Sequence, residues 1–123
     1  MKYLKLVFCL ALSMTYSNVV MADNCESVKI KVLDALAKTV DVSVDEVAID
    51  KTFYDQSFSV DVLDIINVVV DVQEALNVEL KDEDVVDPMV YFDDVEFEPR
   101  LKSKVTVKEF QYVVYKACVK SLS

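Results

Sequence analysis

Between Asn24 and Val40 apolar residues return at helical spacing, at Val28, Val32, Leu33, Ala35, Leu36 and Val40, while Lys29, Lys31, Asp34 and Lys38 fall mostly on the other side. That period predicts a first amphipathic helix of about four turns. The next stretch, Val42-Ser43-Val44-Asp45-Glu46-Val47-Ala48-Ile49-Asp50, is rich in β-branched residues. No second segment of comparable quality offers it a strand partner. It reads as a structured loop, continued by Lys51-Thr52-Phe53-Tyr54-Asp55 and tacked to the core by Val47, Ile49 and Phe53. A second apolar stripe follows at Val62, Ile65, Ile66, Val69, Val72 and Leu76, widened by Val68 and Val70. It predicts a central helix buried on most sides. Its helicity depends on burial, because valine is a middling helix former. Ser57, Ser59 and Asp61 each offer a side-chain oxygen to cap it.

From Glu79 to Glu98 the pattern changes. Nine acids, Glu79, Asp82, Glu83, Asp84, Asp87, Asp93, Asp94, Glu96 and Glu98, are interleaved with Val85, Val86, Met89, Val90, Tyr91, Phe92, Val95 and Phe97, with Pro88 and Pro99 as breakers. Two readings stand side by side. In one, the aromatics and carboxylates form a contact surface for a basic, partly apolar partner. In the other, they make a short third helix and an ordered loop whose aromatics fill the core. A last helix starts near Thr106, which with Glu109 three residues on fits a capping box, and its inward face is Phe110, Val113, Val114 and Ala117, with Tyr112 and Tyr115 nearby.

Composition narrows the function classes. The 123 residues carry 22 acidic and 13 basic side chains, a net charge of −9, which argues against nucleic acid and anionic membrane surfaces and favours a basic protein partner or a simply solvated surface. The chain begins Met1-Lys2-Tyr3-Leu4-Lys5, runs apolar from Leu6 to Leu12 and reaches Val20-Met21-Ala22 ahead of Asp23. This is the pattern of a signal peptide over residues 1–22. Its apolar core falls short of the ~20 residues a membrane span requires, so no stable membrane anchor is expected. Residues 23–123 then form a single domain, secreted or periplasmic, with one modest core. Cys9 leaves with the leader, and Cys25 and Cys118 remain. An even pair in an exported chain reads as a disulfide, able to stabilise the fold by about 4 kcal/mol.

The chain has no histidine and no glycine. Zinc, copper and histidine-based catalysis are therefore not expected. Asp82-x-Asp84 and Asp93-Asp94 lack the glycine and spacing of a calcium loop. Paired acids such as Asp61 and Asp64 share a helical face, but without a nucleophile motif they read as surface residues. No metal, no cofactor and no catalytic residues are expected.

The tetrapeptide Asp61-Val62-Leu63-Asp64 resembles the Asp-Ser-Leu-Asp that opens the second helix of the acyl carrier protein family, with Val62 at the serine that carries phosphopantetheine. Similar echoes are Val42-Ser43-Val44-Asp45-Glu46-Val47, Phe53, Glu74-Ala75-Leu76 with the acids beyond it, and Val105-Thr106-Val107-Lys108-Glu109-Phe110 at the last helix. The resemblance implies an all-α, four-helix bundle with three long helices and one short, here with an extended acidic loop because the segment between Asp84 and Val105 is longer than usual. It also implies antiparallel first and last helices, which brings Cys25 near Cys118. Asp61, Val62 and Leu63 then form a degenerate carrier site, since valine has no hydroxyl to modify.

The leading expectation is an exported, non-catalytic protein-binding module, such as an immunity or inhibitor protein covering a basic toxin or envelope enzyme. Its contact residues would be Asp82, Asp87, Tyr91, Phe92, Asp93, Asp94 and Glu96. The alternative is a carrier that holds a lipid or acyl chain non-covalently, or a phosphopantetheine at Ser57 or Ser59.

Overall fold

Val28, Val32, Ala35, Leu36 and Ala37 form the buried face of the first helix in the computed structural model, which describes residues 25–122. The leader expected over residues 1–22 lies outside the described residues. This helix, α1, spans Val28–Thr39. It stops where the Val42 and Asp41 amides donate back to the Ala37 and Lys38 carbonyls, with Asp41 in the left-handed region at φ 58°. That bonding is a Schellman stop, made here without glycine.

The segment from Val42 to Val60 is a loop, as its lack of a strand partner predicts. Two single 3-10 turns, Val44–Glu46 and Phe53–Asp55, punctuate it. Gln56 holds it in shape: its amide oxygen accepts from the Ala48 N–H at 2.9 Å and its amide nitrogen donates to the Ala48 carbonyl at 2.7 Å. One side chain thus does locally what a neighbouring strand would do. Val47 and Phe53 are buried anchors, but Ile49 is not. Ile49 is tied instead by its carbonyl, which accepts from the Lys108 N–H at 2.9 Å.

Helix α2 spans Val62–Leu76. Of the three candidate caps Asp61 is the one used: its carboxylate accepts from the Asp64 N–H at 2.9 Å, while the Asp64 carboxylate accepts from the Asp61 N–H at 3.0 Å. This reciprocal box satisfies two amides that the first turn leaves without helical partners. Asn77, at φ 53°, ends the helix. A short helix α3, Asp82–Val85, and a 3-10 turn, Asp87–Met89, come next. The last helix, α4, spans Val107–Ser121 and is capped by Thr106 Oγ1, which accepts from the Glu109 N–H at 3.1 Å.

Helix α1 packs against both α2 and α4. Three contacts set α1 antiparallel to α4: the Cys25–Cys118 disulfide, with Cα atoms 5.8 Å apart, Lys29 Nζ at 5.9 Å from the Tyr115 ring, and the Gln111 side chain donating to the Lys29 carbonyl at 2.9 Å. That last bond satisfies a polar side chain that is itself buried. Phe53 meets Phe110 edge to face with ring centres 5.9 Å apart, joining the long loop to the last helix.

Two expectations change. The chain is mostly helical but not all-α. The 85–104 segment, expected as an extended acidic loop, contains a β-hairpin in which β1, Val90–Asp93, pairs antiparallel with β2, Glu98–Leu101. Val90-Tyr91-Phe92 has the branched and aromatic side chains that favour extended backbone. Pro99 is tolerated because both strands of a two-stranded sheet are edges. Helix α2 is also less buried than expected: Ile65, Val68, Val69, Val72 and Leu76 face the core, while Leu63, Ile66 and Val70 are exposed. Those three share one helical face, and α1 and β2 pack against α2 without closing over it.

Candidate functional site

The hairpin turn is built by one carboxylate. Asp93 Oδ1 accepts from the Val95 N–H at 2.9 Å and from the Glu96 N–H at 3.3 Å, and the Phe97 N–H donates to the Asp93 carbonyl at 2.8 Å. Aspartate at the first position of a turn commonly caps the amides that follow it. The other oxygen, Asp93 Oδ2, lies 3.0 Å from Arg100 Nε, a charge contact that is not aligned as a hydrogen bond. Arg100 also pairs with Glu98 at 2.8 Å and with Glu96. One guanidinium therefore ties the two strands and the turn together.

The electrostatics follow from this geometry. The Val95 and Glu96 amides, with Arg100 beside them, hold the Asp93 carboxyl below its ordinary value of 3.8. The Glu96 carboxylate, then Glu98 and Asp93, push the Arg100 guanidinium further above its already high value. These ion pairs are exposed and screened by solvent, so their role is to shape the hairpin more than to stabilise the whole fold. The hairpin carries four carboxylates, Asp93, Asp94, Glu96 and Glu98, and one guanidinium, a local charge of −3.

What the hairpin presents is apolar. Val95 is 85% exposed, Phe97 78%, Phe92 59% and Tyr91 46%. Of the two readings of the acidic-aromatic segment, its first half obeys the core-filling one, with Val85, Val86 and Met89 buried, and its second half does not. Phe97 is unusual in its backbone as well, at φ 56°. A side chain with a Cβ pays about 1–2 kcal/mol in that region, and bulky residues are rare there.

The expected contact residues divide into groups. Tyr91, Phe92, Asp93, Asp94 and Glu96 come together on the hairpin. Asp82 and Asp87 lie at its base, in α3 and in the turn after it, where α3 packs on α4 and Asp84 accepts from Lys120 Nζ at 3.0 Å. Asp93 and Glu96 are committed to the turn and to Arg100, so they are structural acids, whereas Asp94 is exposed. Asp61, Val62 and Leu63 open α2, with Val62 half-buried and Leu63 68% exposed. Ser57 and Ser59 are exposed in the loop just before.

Sequence reasoning overlooked Arg100. It is the only arginine in the chain, set four residues after Glu96 in an otherwise acidic run, and that isolation was the available signal. It also overlooked that β2 comes to lie beside the start of α2. Between them is a groove of about 490 Å³ whose walls include Tyr54, Val62, Leu63, Ile66, Pro99 and Arg100. Tyr54 holds β2 in place there, its hydroxyl donating to the Leu101 carbonyl at 2.8 Å.

Among the described residues no cluster of side chains is suited to holding a metal ion, and no helix is long and apolar enough to cross a membrane. No protein-family model, no curated protein and no solved structure matches the chain.

Proposed function

We propose that this chain is an exported, non-catalytic protein-binding module built on an acyl-carrier-like helical bundle, with the acidic-aromatic hairpin as its contact surface. The single observation that carries the reading is that Tyr91, Phe92, Val95 and Phe97 are each exposed on one hairpin whose turn is tied by Asp93 and Arg100. Covering such side chains contributes about 1.5–3 kcal/mol each, and a preformed turn loses little freedom on binding. The Cys25–Cys118 disulfide supports an oxidising compartment and so export. Helix order, the antiparallel outer helices and Val62 at the first position of α2 support the acyl-carrier-like architecture. In its most concrete form the module is an inhibitor or immunity protein that covers a basic active site.

The test is affinity capture from the native envelope fraction with the parent chain and with a Phe92→Ser, Val95→Ser double variant. A basic protein retained by the parent and reduced at least tenfold by the variant supports the module. Equal retention by both overturns it.

The groove beside Val62 and Leu63 favours a second reading, a carrier holding an acyl chain without a covalent arm. Native mass spectrometry of the protein from its own host decides this: a co-purified lipid supports it, and a lipid-free mass with neither lipid nor phosphopantetheine removes both carrier forms.

A further inference from the structure

Three residues among those described have positive φ: Asp41, Asn77 and Phe97. The first two have short polar side chains of the kind that tolerates the left-handed region, and each sits at a helix end. Phe97 has neither excuse. It closes a turn that asparagine closes with less strain, and its ring is 78% exposed, so the core does not need it. Strain maintained at an exposed position by surrounding bonds is a mark of contact sites. Here those bonds are the Phe97 N–H to the Asp93 carbonyl and the turn caps from the Asp93 carboxylate.

We propose that Phe97 is the anchor of the binding surface, entering an apolar cleft of a protein partner with Val95 and Phe92 beside it, where the rim of that cleft carries lysine or arginine. This rests on the protein-binding reading above and goes further by naming the anchor residue and the chemistry of its receptor. Charge selects the occupant. The hairpin that carries the exposed rings also carries Asp93, Asp94, Glu96 and Glu98, and the single Arg100 offsets one of those four charges. A second copy of this chain, with its own net charge of −9, and an anionic bilayer are both repelled by such a hairpin, whereas a basic protein is drawn to it. Buried aromatic anchors ringed by polar residues are the usual centre of such interfaces.

Folding and binding are tested separately. In the first, Phe97→Asn in the full chain raises the thermal midpoint by about 4 °C or more, because the strain is relieved and no core contact is lost. An unchanged or lowered midpoint overturns the proposal. In the second, a photo-crosslinking phenylalanine analogue is placed at position 97, and separately at position 82, in cells of the native host. A basic protein crosslinked at position 97, then purified and bound at least tenfold more weakly by Phe97→Asn, with weaker salt dependence for Asp94→Lys, supports it. Crosslinks at position 82 alone overturn the anchor and leave the protein-binding reading standing. Crosslinks at neither position overturn both. Crosslinking of position 97 to a second copy, or flotation with phosphatidylglycerol vesicles that Phe97→Asn abolishes, overturns the stated partner.

Discussion

Asp93 and Arg100 meet across the hairpin with Oδ2 and Nε 3.0 Å apart, while the other Asp93 oxygen caps the turn at Val95 and Glu96. A single aspartate thus joins the end of β1, the turn and the middle of β2. The hairpin has little core of its own, with Val90 half-buried and Leu101 buried at its base. Its shape toward the tip therefore depends on this polar arrangement.

Replacing either partner should loosen the hairpin without unfolding the bundle. For Arg100→Ala we expect local opening of the turn to become several-fold easier, because the contacts to Asp93, Glu96 and Glu98 are lost together. Amide hydrogen exchange at Val95, Glu96 and Phe97 reports it directly. The same variant should leave exchange of the α1, α2 and α4 amides near its parent rate, and accelerated exchange in those helices would contradict this assignment.

Asp93 also sets a pH dependence. Its folded-state carboxyl lies below 3.8 because the Val95 and Glu96 amides donate to it and Arg100 stands beside it. A carboxyl depressed in the folded state stabilises that state above its unfolded value, and the contribution is lost as pH falls through the folded value. The turn should stay ordered from neutral pH down through 3.8 and loosen only below it. The Val95 amide shift, followed by NMR through an acid titration, should have its midpoint below 3.8, and Asp93→Asn should remove that transition.

The disulfide closes a loop of sequence separation 93. A Cys25→Ser, Cys118→Ser double variant should lose about 2–5 kcal/mol of stability, read from urea denaturation. Cys118 is fully buried and Cys25 nearly so, so the folded parent chain should resist mild reductants that reduce exposed disulfides. Rapid reduction of the native chain would show that its ends open readily.

Much of this architecture is legible from spacing alone. Helices α1 and α4 follow the period of Val28, Val32, Leu36 and of Phe110, Val114, Ala117, because a helix with one apolar stripe has one way to bury it. Thr106 is readable as a cap, and Asp61 as one of three candidates with Ser57 and Ser59, because the Thr106 and Asp61 oxygens each serve an amide only three residues away. Cys25 and Cys118 are the two cysteines within residues 25–122, and the disulfide joins them.

Other features were settled only when particular side chains and segments met in the folded chain. That Val42–Ile49 is a loop was readable from its lack of a strand partner, but not that the Gln56 side chain would hold it through Ala48. The hairpin needed Val90-Tyr91-Phe92 to find a proline-bearing partner strand, a pairing that local propensity scores poorly. Arg100 acquired its role only when the turn brought Asp93, Glu96 and Glu98 around it. The apolar pattern in residues 25–122 determined which faces had to be buried, since that preference belongs to each side chain. Which apolar residues were left outside, Leu63 and Ile66 on α2 and Phe92, Val95 and Phe97 on the hairpin, was decided by tertiary structure, because exposure depends on what other elements come to cover a face.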